Sequence, residues 1–158
     1  MRNRSTRIAA LTAAALVAGW AATAAPVGAI APTVRAAHNV TLNRTIVVSA
    51  TGRSLYHRIG EHTGHVLCGT VCSRVWPPLT VASASTRLAR GAGVTGVLGK
   101  FRRPDGRWQV TLRGLPLYRF AGDHAAGQAH GQGVAGIWFA VSAWTGSSAP
   151  PQSPPPAY

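Results

Sequence analysis

Four nitrogen and sulfur donors fall within eleven residues, His62-Thr-Gly-His65-Val-Leu-Cys68-Gly-Thr-Val-Cys72. Imidazole and thiolate are the ligands that tetrahedral zinc and soft copper prefer, so His62, His65, Cys68 and Cys72 define a candidate metal or redox module. Their spacing matches no standard structural-zinc pattern. In a chain built for export, two cysteines this close read first as a Cys68–Cys72 disulfide. A loop so small removes about 2 kcal/mol of chain entropy in the chain-entropy model. No cofactor is required by that reading.

Acid–base chemistry has little to draw on. The chain holds three acids, Glu61, Asp105 and Asp123. Glu61-His62 and Asp123-His124 are acid–histidine neighbours, and a histidine beside a carboxylate is a common acid–base or ligand unit. Adjacent residues in an extended segment point to opposite sides, however, which disfavours contact within each pair. The simpler reading has the carboxylate cap turn amides while the imidazole stays in water. Glu61 and Asp123 facing each other would share a proton as in an acid protease, a hydrolase reading that lacks any Asp-Thr-Gly elbow here. Asp105 sits in Pro104-Asp105-Gly106, a turn signal. There is no G-x-S-x-G, and Gly131-Gln-Gly-Val lacks the lysine of a phosphate loop. The residues point to a non-enzymatic role.

The two acid–histidine pairs belong to an internal repeat. Tyr118 follows Tyr56 by 62 positions, and Trp138 follows Trp76 by the same interval. Between residues 52–76 and 114–138, with no gap, seven positions are identical: a glycine, Leu55/Leu117, Tyr56/Tyr118, a second glycine, His62/His124, a third glycine and Trp76/Trp138. Chance gives about two in a Gly-rich window of this length. Gly127 stands where a second His65 would be, so the metal set is not repeated. Tyr56, Trp76, Tyr118, Phe120, Asp123, His124 and Trp138 are candidates for a ligand-stacking surface. Repetition of aromatics is equally what shared core packing produces, and Trp108 and Trp144 belong to the same inventory.

These residues need elements to hold them. Alternating and β-branched runs predict strands over 41–48, 54–59, 94–103, 108–112, 115–120 and 137–141. Trp76-Pro-Pro-Leu79 is excluded from a helix interior and reads as an extended segment burying Trp76. A short helix is expected over 82–90, ahead of Gly91 and Gly93. The fold class is therefore mainly β: a small antiparallel β domain of two related halves about a pseudo-twofold axis, with one short helix between them. The domain is expected at 41–145, with repeats at about 43–79 and 105–141. Residues 30–40 read as linker and 146–158 as a Pro/Ser-rich tail.

Residues 1–29 read as a signal peptide. Arg2, Arg4 and Arg7 precede an uncharged run from Ile8 to Ala25, and small residues follow at Ala22-Thr-Ala24 and Val27-Gly-Ala29. A retained anchor is the alternative, disfavoured by Pro26 and Gly28. No cysteine lies nearby to carry a lipid. Formal charge is +13; without the three leader arginines, 13 basic and 3 acidic residues leave +10. That balance favours anionic partners, here anionic envelope polymers or lipid head groups. The arginines are scattered, which argues against a dedicated nucleic-acid site and is also what a solvated Arg-rich surface looks like.

The second half resembles an uncharacterised bacterial secreted-repeat or predicted-lipoprotein family with a Y-x-[FWY]-x-x-D motif. The strings that carry the likeness are Arg103-Pro-Asp-Gly-Arg-Trp-Gln-Val-Thr111, Gly114-Leu-Pro-Leu-Tyr118-Arg-Phe120-Ala-Gly-Asp123 and Gly131-Gln-Gly-Val134 before Trp138. The first half is similar through Leu55-Tyr56, Cys68-Gly-Thr-Val-Cys72 and Trp76-Pro-Pro-Leu79, but has Arg58 in the aromatic position and Glu61 in place of Asp. The resemblance implies an exported β-rich envelope domain and carries no reaction.

Overall fold

The computed structural model describes residues 30–143; residues 1–29, expected as a signal peptide, and residues 144–158, with Trp144 and the expected tail, lie outside the described residues. The β-branched run Arg44–Ser49 forms β2. It pairs antiparallel with β1, Val34–Asn39, so residues expected as linker are a strand. Two anchors explain the difference. Val34 is fully buried, and the side chain of buried Asn39 accepts from Leu42 N–H while donating to Gly127 O. Only these two ends are buried, so the segment shows no periodic apolar pattern.

The remaining elements are β3 (Tyr56–Arg58), a single helical turn α1 (Cys72–Val75), β4 (Thr80–Val81), β5 (Leu98–Arg102), β6 (Trp108–Leu112), β7 (Leu115–Pro116), a 3-10 turn (Val134–Gly136) and β8 (Trp138–Ala140). β3 pairs with β8; β4, β6 and β5 lie side by side with β7 also on β6. Arg113 and Gly114 take φ of 54° and 80°, the two positive values that let a two-residue turn join β6 to β7. The helix expected over 82–90 is absent. The Ser83, Ser85 and Thr86 hydroxyls bond one another, and Thr86 Oγ1 accepts from Ser83 N–H. Such local bonds offer the backbone an alternative to helix.

The segments that follow each tryptophan cross over. Leu79, from the first repeat, donates its N–H to Leu117 O and accepts from Val110 N–H, both at 2.8 Å. Val141, from the second, donates to Leu55 O at 2.9 Å and accepts from Val47 N–H at 2.7 Å. Each repeat thus supplies an extended segment to the backbone ladder of the other.

Two cores result. One gathers Val34, Val47, Leu55, Val110, Leu117 and Val141; the other gathers Ile46, Tyr56, Trp76, Tyr118, Trp138 and Cys68. The two-residue period of extended backbone sends Leu55 and Leu117 into the first and their neighbours Tyr56 and Tyr118 into the second. All four are fully buried. The leucines face inward as the alternation implies, but the opposite face is itself a core.

Leu117→Ala is expected to lower unfolding free energy by about 2–5 kcal/mol in a urea titration. Val97→Ala, at a 78% exposed position, should stay within about 0.5 kcal/mol. A Leu117→Ala loss below about 1 kcal/mol contradicts the packing described.

Candidate functional site

The second core is built where the repeats touch. Tyr56 N–H donates to Tyr118 O at 2.8 Å, and Tyr118 N–H donates back to Tyr56 O at 2.9 Å. From there the side chains cross. The Tyr56 hydroxyl donates to Asp123 Oδ2 at 2.6 Å, and the Tyr118 hydroxyl donates to Glu61 Oε2 at 2.7 Å. Each tyrosine therefore holds the carboxylate of the other repeat. The second oxygen of each carboxylate caps a loop. Glu61 Oε1 accepts from Leu67 and Cys68 N–H, both at 2.7 Å, and Asp123 Oδ1 accepts from His130 N–H at 2.9 Å. The capping role expected of these acids is observed, but in the interior: Glu61 is 4% and Asp123 1% exposed.

The tryptophans fill the space between. Trp76 and Trp138 stack with centroids 3.9 Å apart and planes 4° from parallel. Tyr56 meets Trp76 edge-on at 5.5 Å, and Tyr118 meets Trp138 edge-on at 5.1 Å. Phe120 tilts over Trp76 at 4.6 Å. Gly131 makes this closeness possible: a Cβ there would lie 2.9 Å from both the Trp76 and Tyr56 rings. Gly131 N–H also donates to the Tyr56 hydroxyl at 3.3 Å.

One cation enters the network. Arg103, 3% exposed, donates to Tyr118 Oη at 3.3 Å, to Cys68 O at 2.7 Å and to the Gln109 carboxamide, and pairs with Asp105 at 3.1 Å. Asp105 also binds Arg107 at 2.7 Å. The Arg107 hydrogen bond, more than Arg103, holds the Asp105 carboxyl well below the usual carboxylate range. Burial, reinforced by Glu61, pushes the Tyr118 phenol up to about 12, with Arg103 and Gln109 opposing. Burial and then Asp123 push the Tyr56 phenol higher than its ordinary value as well. Burial, with Arg113 adding, lowers His57.

The four-donor metal set is not assembled. Cys68 and Cys72 are joined in a disulfide, so neither sulfur is a thiolate. His62 and His65 are exposed and stack on each other at 5.0 Å across their own short turn. Among the described residues no group of three or more His, Cys, Asp or Glu is placed to hold a metal ion. His124 is exposed and takes part through its backbone, accepting from Arg53 and donating to Gln128. Of the stacking candidates, Tyr56, Trp76, Tyr118, Trp138 and Asp123 are buried against one another, and Phe120 is half-buried. They form an interior, not an open platform. Neither Glu61 nor Asp123 hydrogen-bonds to the other, so the shared-proton arrangement of the hydrolase reading is not formed. Two participants were not singled out from sequence. His130 Nδ1 lies 3.3 Å from Asp123, and Arg103 was one basic residue among many. Arg103 stands two residues before the lone turn acid, which is a signal that could have found it.

The comparisons with known proteins bear on the second repeat. Residues 99–142 are similar to a secreted repeat of unknown function. That span runs from β5 through β8 and contains Arg103, Tyr118, Asp123 and Trp138. No curated protein and no solved structure matches the chain. Among the described residues no helix is long and apolar enough to cross a membrane.

The phenols give a pH prediction. Both folded-state values are raised, so their stabilisation is complete below the unfolded tyrosine value, about 10, and is lost as pH rises through the folded value. Unfolding free energies from urea titrations should be level between about pH 8 and 10 and fall above that, at up to about 1.4 kcal/mol per pH unit for each tyrosine. An unfolding free energy unchanged between about pH 10 and 12 contradicts the assignment.

Proposed function

We propose that this chain is an exported, non-enzymatic domain of the cell envelope, built of two related halves about a pseudo-twofold axis, that attaches to anionic envelope polymers. The observation that carries the reading is that all three of its carboxylates are held by the protein's own donors. Glu61 and Asp123 are buried under tyrosines, and Asp105 is paired with two arginines. That leaves no carboxylate free to act as the acid or base of a carboxylate-dependent hydrolysis. It also leaves the outward field positive. Arg35, Arg74, Arg87, Arg90, Arg102 and Arg119 are exposed, while among the described residues the acids pair with Arg103, Arg107 and His130. A surface of one sign draws a polyanion by long-range attraction and holds it in a salt-dependent way.

Further support comes from the likeness of residues 99–142 to a secreted repeat and from the disulfide, which suits an oxidising compartment. The reciprocal tyrosine contacts and the crossed backbone segments support the two-halves reading.

Co-sedimentation with an anionic phosphate-linked wall polymer tests the proposal, with a neutral glucan and anionic phospholipid vesicles alongside. Binding to the polymer is expected at about 0.05 M salt and release by about 0.5 M, where screening is severe. Retention on the neutral glucan to the same extent, or no polymer binding at low salt, contradicts it. Binding to vesicles alone would assign the positive surface to lipid head groups instead.

A further inference from the structure

The aromatic core is a continuous chain of oxidisable rings. Tyr56 abuts Trp76, Trp76 stacks on Trp138, and Trp138 abuts Tyr118, at centroid distances of 5.5, 3.9 and 5.1 Å. Indole and phenol are among the side chains that most readily surrender one electron. Two indoles stacked in parallel share an electron vacancy, which makes it easier to form on the pair than on one ring. A phenol needs more. Its radical cation is a strong acid, so the electron leaves readily only where the proton has somewhere to go.

Both terminal tyrosines have that outlet in contact. Tyr56 donates to Asp123 at 2.6 Å and Tyr118 to Glu61 at 2.7 Å, with both acceptors buried. Packing does not demand this arrangement. A backbone carbonyl would satisfy a buried hydroxyl, whereas burying a carboxylate is costly and needs several donors to offset it. The core nevertheless keeps two, one at each end of the ring chain.

We propose that Tyr56–Trp76–Trp138–Tyr118 is a one-electron redox relay, in which an oxidant at the surface takes an electron from the indole pair and the vacancy passes to a terminal tyrosine as its proton moves to the carboxylate it contacts. The oxidants that fit are outer-sphere metal complexes and small radicals able to oxidise indole. In the first step the oxidant is reduced by one electron and a tryptophan radical cation forms. In the second the tyrosine returns an electron to the indole and its O–H bond breaks. The proton joins Glu61 or Asp123, leaving neutral tryptophan, a neutral tyrosyl radical and a carboxylic acid. No bond between heavy atoms is made or broken. Trp76 and Trp138 are 5% and 3% exposed, so electrons cross the thin rim without the oxidant entering. This activity is separate from attachment to a polyanion and stands or falls independently of it.

Flash oxidation of the full exported chain by photogenerated tris-bipyridine ruthenium(III), followed by transient absorption, tests the relay. The expected sequence is a tryptophan radical that decays into a neutral tyrosyl radical, more slowly in deuterium oxide because a proton moves. The Tyr56→Phe/Tyr118→Phe double variant should lose the tyrosyl signal although Tyr158 remains. Glu61→Gln with Asp123→Asn should lose it too and prolong the tryptophan radical. A tyrosyl signal that survives in the Tyr→Phe double variant overturns the proposal, as does a tryptophan radical with no tyrosyl successor in the intact protein. Should the carboxylate variants fail to fold, those two outcomes and the deuterium effect still decide it.

Discussion

Two phenol–carboxylate hydrogen bonds exchanged between repeats constrain everything around them. Tyr56 reaches Asp123, and Tyr118 reaches Glu61, from tyrosine backbones that are hydrogen-bonded to each other. That pairing fixes the face on which each side chain leaves. The neighbouring leucines must then fill the opposite core, because adjacent extended residues alternate sides. The same geometry places Trp76 and Trp138 between the tyrosines, where they stack. The helical turn after the disulfide leads the chain directly into Trp76, whose N–H bonds Cys72 O.

Burial of the acids sets the energetic terms. An uncompensated carboxylate in a low-dielectric interior costs several kcal/mol, so removing one donor is more damaging than the net value of the bond suggests. Glu61 is matched with three donors: two loop amides and a phenol. Asp123 has a phenol and an amide, with His130 at the rim. Arg103 ties the first network to the second repeat, touching the Tyr118 hydroxyl and the carbonyl of Cys68 together. The disulfide loop, Arg103 and Glu61 thus form one connected structure.

Much of this was legible in the chain. The 62-residue interval marked Tyr56/Tyr118 and Trp76/Trp138 as equivalent positions, and the mainly β class, the Pro104-Asp105-Gly106 turn and the Cys68–Cys72 disulfide agree with the structure. The crossing was not legible. A repeat reveals equivalence but not whether a residue contacts its own copy or the other, since that depends on long-range strand exchange. β1 was hidden because its residues lack alternation, and its partner β2 makes it a strand. The helix over 82–90 was overestimated because hydroxyl side chains there bond locally. The tyrosines' second core was missed because a phenol reads as a residue with a wet tip, and here the tip is met by an acid brought from far along the sequence.

The claim that the crossed bonds join the repeats is tested most directly by a double-mutant cycle in urea on Tyr118→Phe and Glu61→Gln. A hydrogen bond to a charged, buried acceptor should give a coupling energy of about 1.5–3 kcal/mol. A coupling below about 0.5 kcal/mol, the limit within which independent sites add, would mean that Tyr118 and Glu61 stabilise the protein separately and that the clasp is not what holds it together.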